Sequence, residues 1–398
     1  MIGRAAIGLA GVLGVVGCGD SDGVAASGST STVSSATSAL TETSEALPSS
    51  STSASADTGP TSTAESDSST SDPDATGETP QGTLEIWWVD VEGGAATLFL
   101  TPDGMLVLVD TGFPGDRDAD RIVSVVQDEL GKDTIDLTII THYHPDHVGG
   151  LPDLVERIPI TAFWDHGDSV EADGGEGQAL WNDYLAIADG KRTIVAPGET
   201  YDIGGLQLDI VSADAQTLAA PVQGGGAANP DCDGAETLDP EFNENPMSVG
   251  FVARFGAFDM LDLGDLTWSY EHDLACRLNL IGSIDLYQTT HHGQSNSGAP
   301  QLVHGIDPVV AIMNNGPHKG GAPETWDRVT SAPNAPDLWQ VHRALDTDDA
   351  HNSEADLIAN PQDANEDEGH PLHALVDASG QITITNRRNL YSRSYQSE

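Results

Sequence analysis

Three imidazoles and one carboxylate fall within six positions, at His142, His144, Asp146 and His147. All four are metal-ligating side chains, and the H-x-H-x-D-H spacing suits two ions a few ångströms apart. From an extended loop His142 and His144 point one way and serve one ion, while Asp146 and His147 serve a second point beside it. Histidines scattered by chance on a surface loop do not usually meet four fixed offsets. A water held between two such ions loses a proton near neutral pH, so the chemistry indicated is hydrolysis. Pro145 disfavours helix at His144 and keeps the histidines on a loop. The short β-branched run Ile135 to Ile140 before it reads as a buried strand, and a helix is expected from about His147.

The same residue types recur at the ends of other apolar runs, one before the loop and two after it. Asp110 lies in Val109-Asp110-Thr111-Gly112, Asp265 in Leu263-Gly264-Asp265, and two histidines in Thr290-His291-His292-Gly293. With the loop, this ordered set resembles the signature of the metallo-β-lactamase superfamily. Three stretches resemble the hydrolase domain of ComEC-type competence proteins: Asp90-Val91-Glu92-Gly93-Gly94-Ala95-Ala96, Asn243 to Val249, and His291-His292-Gly293-Gln294-Ser295. The similarity runs from about Leu84 to Asn386.

The resemblance implies a four-layer helix–sheet–sheet–helix sandwich of the α/β (α+β) class, with metals at the sheet edge between its halves. Periodicity alone distinguishes only α/β or α+β. It implies two divalent ions, zinc by default, with manganese or iron as alternatives. The first takes His142, His144 and Asp265; the second takes Asp146, His147, Asp265 and His291. Asp265 also suits a helix cap, since Asp favours that position. Asp146 orients the nucleophile. His292 orients substrate or moves a proton, or it exchanges roles with His291. The superfamily usually supplies another histidine to the first ion after a later hairpin. Here that hairpin, Tyr201 to Val211, ends in Ser212-Ala213-Asp214 with no histidine. His166, leaving the strand Ile160 to Trp164, either substitutes as ligand or is a capping or substrate-edge histidine, with water then completing the first ion. Asn315, His318 and Lys319 follow the strand Val309 to Met313 and are candidates to contact an anionic leaving group. His342 ends another strand and is a candidate rim residue. A phosphodiester is the first-choice substrate. Carboxylic ester, lactone or β-lactam hydrolysis is the alternative, and a non-catalytic metal-binding surface lipoprotein is a reading from another class.

The chain of 398 residues divides into three by composition. Residues 1–18 hold Arg4, an apolar run, and Val15-Val16-Gly17-Cys18, which resembles a bacterial lipoprotein cleavage box. The run is too short and glycine-rich for a transmembrane helix. The expectation is a signal peptide, lipidation at Cys18, and an exported lipoprotein anchored to a membrane by acyl chains. Residues 19–81 are rich in Ser and Thr, and no aromatic residue precedes Trp87. Such a segment buries too little apolar surface to offset its ordering entropy and is expected to be a disordered tether. Residues 82–398 form the hydrolase domain. That part carries 53 acids against 14 Lys and Arg, a net charge of −39. A field of that sign repels polyanions, so tight nucleic-acid binding is not expected and the substrate is a small molecule or short oligomer.

Outside the cytoplasm the two remaining cysteines, Cys232 and Cys276, are expected to pair. Helices are expected over Asp116 to Leu130, Leu151 to Ile158 and Trp268 to Leu280. The polar stretch Ala213 to Phe242 reads as a lid or binding loop. The acidic stretch Asp346 to Gly369 reads as an exposed insertion, and a hairpin, Leu372 to Val376 with Gln381 to Asn386, closes the domain.

Overall fold

The computed structural model describes residues 82–363 and 368–397. Cys18, the signal peptide and the tether expected over residues 19–81 lie outside the described residues. Among those described, no helix is long and apolar enough to cross a membrane.

Two large sheets form the centre. The first is built from β1 (Thr83–Trp88), β2 (Thr97–Leu100), β3 (Leu106–Val109), β4 (Ile135–Ile139), β5 (Ile160–Asp165) and β6 (Arg192–Ile194). Helices α1 (Asp116–Ser124), α2 (Leu151–Val155) and α3 (Gly175–Ala188) lie between these strands in the chain. The second sheet contains β7 (Thr200–Ile203), β8 (Leu206–Ala213), with β9 (Gln216–Thr217) on its edge, then β11 (Gly250–Phe255) and β12 (Phe258–Asp262). A small pair, β10 (Ala227–Ala228) with β13 (Leu278–Asn279), stands apart. The second sheet continues with β14 (Leu286–Gln288), β15 (Val310–Met313), β16 (Asp337–His342) and β17 (Ile358–Asn360). Helices α4 (Trp268–Ala275), α5 (Pro300–Ile306) and α6 (Pro323–Thr330) connect its parallel strands. The chain then returns to the first sheet as β18 (Leu372–Asp377), β19 (Gln381–Asn386) and β20 (Ser392–Gln396), with β18 pairing antiparallel to β1.

Strand alternation sorts the side chains into layers. Leu84, Ile86 and Trp88 of β1 face the second sheet and pack with Phe251, Met260, Leu286 and Trp339. Trp87 of β1, with Leu106 and Leu108 of β3, faces outward onto Ala119, Ile122, Leu151 and Leu154 of α1 and α2. Val252, Leu261 and Ala311 face outward from the second sheet onto Leu274, Leu302 and Val329. The result is the four-layer sandwich of the α/β class.

Several elements differ from the sequence reading. The helix expected over 116–130 is present, but it is α-helical only to Ser124 and continues as a π-helical turn, Val125–Glu129. Helix α4 ends at Ala275, so Cys276 is its C-cap and not an interior residue. The stretch 346–369 is not simply an exposed insertion: Ile358–Asn360 is buried and adds a parallel edge strand to β16. Helix α3 follows a glycine-rich segment, Gly174 and Gly175, and has a shallow apolar pattern; only Trp181, Tyr184 and Ala188 are buried.

In both sheets the C-terminal ends of parallel strands open at the same edge. β3, β4 and β5 are parallel, as are β12, β14, β15 and β16. Residues leaving these ends are where an α/β sheet places a ligand.

Candidate metal centre

Each side chain of the centre follows a strand end. Asp110 follows β3, the His142–His147 loop follows β4, Asp265 follows β12, and His291 and His292 follow β14. The backbone is bent sharply here. Asp110, His291 and His292 have φ of 61°, 56° and 54°, a region costly for residues other than glycine and one that gathers at functional sites.

Asp146, His147, Asp265 and His292 are buried, with ligand atoms all within 4.8 Å of one another. His147 Nε2 lies 3.2 Å from Asp146 Oδ2, 3.2 Å from Asp265 Oδ2 and 3.2 Å from His292 Nε2. His292 Nε2 lies 3.3 Å from both Asp146 Oδ2 and Asp265 Oδ1. A tetrahedron with bonds of about 2.0 Å has edges of about 3.3 Å, so this donor set fits a divalent ion such as zinc. Beside it, His142 Nε2 and His144 Nδ1 converge to 3.0 Å, and Asp265 Oδ2 stands 3.9 Å from His142 Nε2. Asp265 therefore faces both groups of histidines.

The electrostatics ask for a cation. Burial pushes the Asp265 carboxyl up, but His147, His292 and His291 outweigh it and hold it well below the usual carboxylate range. Burial likewise raises Asp146, and His147, His292 and Lys319 more than reverse it. Burial lowers His147, yet Asp265, Asp146 and Asp110 raise it well above its ordinary value. His142 goes the other way: burial and the charge at His147 hold it well below, as a neutral imidazole with a free lone pair.

Asp110 orients both groups. Its Oδ2 accepts from His147 Nδ1 at 2.7 Å and from Thr141 Oγ1 at 2.7 Å. Thr141 Oγ1 is 3.0 Å from His142 Nδ1. Fixing the Nδ1 protons leaves Nε2 of both rings as the ligand atom. Ser248 Oγ accepts from the Asp265 N–H at 3.2 Å and stands 3.4 Å from His142 Nδ1. The sequence marked Asp110 and Ser248 only as parts of motifs, because their role depends on a fold that brings β3 and β11 to the same loop.

The structure exchanges the two late histidines. His292, not His291, stands among Asp146, His147 and Asp265. His291 Nε2 lies at the edge, 3.4 Å from Asp265 Oδ2 and 3.2 Å from Gln294 Nε2. Its Nδ1 meets Ser297 Oγ at 3.2 Å, and that hydroxyl donates to Leu266 O at 3.0 Å. The Nδ1 proton is thus used, and burial lowers the pKa of the ring, so Nε2 is an acceptor, met here by the Gln294 side-chain amide.

Four other candidates also stand away from the roles the sequence suggested. His166 is bound to Glu244, Nε2 to Oε2 at 3.1 Å, behind the ring of Tyr143. Glu244 also accepts from Ser169 Oγ at 2.6 Å and the Val170 N–H at 2.7 Å, so this buried pair braces the loop next to the histidines. Asn315 is buried, and its Nδ2 donates to His342 O at 2.8 Å and Gly316 O at 3.0 Å; it shapes a turn. His318 is outside, with Asp346 at 3.0 Å and Asp363 at 3.4 Å. His342 is fully buried against Asp90 Oδ1 at 2.7 Å. Asp90, Glu92 and His342 also have metal-ligand types close together. There Arg121 Nη1 bonds Asp90 at 2.8 Å and Glu92 at 3.0 Å, and a guanidinium already supplies the positive charge. Lys319 alone of the four substrate-side candidates reaches the centre, where its Nζ donates to Asp146.

Sheets packed face to face between helical layers, with the donor set at their common edge, are consistent with a metallo-β-lactamase fold. Residues 90–212 match the model of the metallo-β-lactamase superfamily. That segment holds Asp110 and the histidine loop; Asp265 and His292 lie beyond it. A UPF0173 metal-dependent hydrolase of Cupriavidus metallidurans is 34% identical over 97 residues, 23% of this chain and 29% of that protein. An anaerobic nitric oxide reductase flavorubredoxin of an Enterobacter species is 29% identical over 112 residues, 26% of this chain and 23% of that protein. The chain thus spans less than a third of the length of either curated relative. Among solved structures, the metallo-β-lactamase fold protein YhfI from Bacillus subtilis aligns with a TM-score of 0.40 at 11% identity, over 65% of this chain and 96% of that one.

Proposed function

We propose that this chain is a metal-dependent hydrolase with a dinuclear centre, acting on a small phosphodiester. The observation that carries the reading is the buried set Asp146, His147, Asp265 and His292, spaced at 3.2–3.3 Å beside the His142–His144 pair. Asp146, His147, Asp265 and His292 would hold one ion, and His142, His144 and Asp265 the other. Two divalent ions there would supply a water that is acidic near neutral pH and a positive field for the anionic transition state. The chain's own residues do the rest. Asp110 fixes the imidazole tautomers, Asp265 offsets the charge of both sites, and the acceptor Nε2 of His291 is placed to take or return a proton at the edge of the centre. No serine or cysteine nucleophile is needed.

The curated relative from Cupriavidus metallidurans is described as a metal-dependent hydrolase, which supports the reaction class. The same donors serve carboxylic esters, lactones and β-lactams, so the choice of a phosphodiester rests on the likeness of the motifs to ComEC-type domains. We also propose export as a lipid-anchored protein. The bond between Cys232 and Cys276 supports a non-reducing compartment.

The test is turnover by the purified chain loaded with zinc or manganese. Phosphodiester, carboxylic ester and lactam chromogens are compared before and after a chelator. Chelator-sensitive hydrolysis favouring the phosphodiester is expected. Two bound ions with no turnover of any chromogen would favour a binding protein instead.

A further inference from the structure

Lys319 sits on a loop built to hold it against the centre. The loop leaves β15 and turns at Gly316, whose N–H donates to Lys319 O at 2.8 Å. Gly316 packs on the backbone of Glu92 and Gly93, where a Cβ would stand 2.3 Å from Glu92 O. At Gly320, with φ of +74°, a Cβ would stand 2.0 Å from His292 O, so only glycine lets the chain pass this close. The Gly321 N–H donates to His292 O at 3.0 Å and the Ala322 N–H to Gly293 O at 2.8 Å. The backbone of Lys319 is thereby tied to a proposed metal ligand. Its side chain crosses the ring of Phe113 at 5.6 Å and ends on Asp146.

Two features set this lysine apart. The side chain is 30% exposed, while the Asp146 side chain it meets is 10% exposed, so the ammonium stands between buried carboxylate and solvent. An ammonium has three protons, and a single carboxylate oxygen uses one of them. The domain also has only 14 Lys and Arg among 53 acids. Most of these cations are engaged elsewhere, Arg121 with Asp90 and Glu92, Arg192 with Asp165, and Arg254 with Asp209. Lys319 is a local positive point inside an acidic field.

We propose that Lys319 is the specificity-determining contact of the site, donating to an anionic oxygen next to the scissile bond. This rests on the hydrolase reading above and narrows its substrate to compact anions. A long polyanion meets the net negative surface before it meets the lysine; a small phosphoryl or carboxylate group meets only the lysine and the metals.

Full-length chain loaded with zinc is compared with Lys319→Ala and Lys319→Arg, by calorimetric titration with inorganic phosphate and separately with acetate. Metal content is measured on the same samples. For Lys319→Ala, phosphate binding about tenfold weaker or more is expected at unchanged metal content, with most of the loss recovered in Lys319→Arg. In steady-state assays the preference in kcat/KM for an anionic phosphodiester over a neutral carboxylic ester falls by a similar factor, through KM. Weakened phosphate with unchanged acetate assigns the lysine to a phosphoryl oxygen; the reverse assigns it to a carboxylate. The proposal is overturned if both anions bind Lys319→Ala as they bind wild type. It is equally overturned if anion affinity falls only in step with lost metal, since Lys319 then merely balances Asp146. A chain that turns over none of the chromogens defeats the hydrolase reading, and the phosphate titration still judges the lysine.

Discussion

Asp265 is the residue on which the two halves of the centre meet, because its carboxylate faces His147, His292 and His291 and stands at the edge of the His142–His144 pair. In the proposed centre the neighbouring histidines divide the work by position. His292→Ala removes a member of the four-donor set and is expected to lower metal content, by elemental analysis, by about one ion per chain. His291→Ala should leave metal content near wild type and reduce kcat by a hundredfold or more, the usual scale of a proton-transfer group. Equal metal loss from both variants would contradict the division. Asp110→Asn keeps the size of the side chain but loses the charged acceptor for His147 Nδ1. Metal affinity measured by competition with a chelator should fall ten- to a hundredfold. At this scale the spacing of His142, His144, Asp146 and His147 was enough to put them on one loop, since a local motif needs only a local turn. The order of His291 and His292 was not legible: both lie at positive φ, and the reversal of direction there depends on the backbone bend and not on residue type. His166 and His342 were likewise ambiguous, because their partners Glu244 and Asp90 are 78 and 252 residues away in the chain.

The loops at the strand ends carry the centre, and each is braced by a contact that the strands alone do not provide. The segment between β8 and β11 is tied down at several points. Trp268 Nε1 donates to Glu236 O at 3.1 Å, Asn296 Nδ2 donates to Glu241 Oε1 at 2.7 Å, and Cys232 is bonded to Cys276. With the cysteines separated by 44 positions in the chain, chain entropy alone gives this bond about 4 kcal/mol. The Cys232→Ser, Cys276→Ser double variant should melt several degrees lower, by scanning calorimetry, with metal content preserved; an unchanged melting temperature would show that the other ties suffice. The strands were the most legible elements, since runs such as Leu84 to Trp88 and Phe258 to Leu263 alternate or run apolar over the right length. The small helices were the least legible. Helix α2 spans only Leu151–Val155, and α3 rests its burial on Trp181, Tyr184 and Ala188. Strand β17 was hidden within an acidic stretch, because its buried run, Leu357 to Asn360, is short and flanked by exposed residues.

Across the whole molecule, two sheets are joined beneath the centre by a buried polar link. Gln288 Oε1 accepts from Trp88 Nε1 at 2.7 Å and Thr97 Oγ1 at 3.0 Å on the first sheet, and Gln288 Nε2 donates to Asp262 Oδ2 at 3.0 Å on the second. Burial pushes the Asp262 carboxyl up to about 7, against the opposing Gly264 N–H bond. The folded value lies above the unfolded one, so this contribution to stability is complete below about pH 4 and is lost as pH rises through about 7. In the chelated chain, the urea midpoint should therefore fall from pH 5.5 to pH 8 more steeply for wild type than for Asp262→Asn; parallel profiles would place Asp262 outside the pH response. The sandwich itself also explains why a single substitution at the centre need not unfold the chain, since its packing lies in three separate apolar layers. That makes metal stoichiometry the most direct test of the account. Wild type and Asp265→Ala are each saturated with zinc, desalted and analysed for metal per chain, with circular dichroism to verify the fold. The account predicts two ions in wild type and a loss at both sites in Asp265→Ala with the spectrum unchanged. Two ions retained in folded Asp265→Ala would contradict the shared carboxylate and, with it, the dinuclear centre.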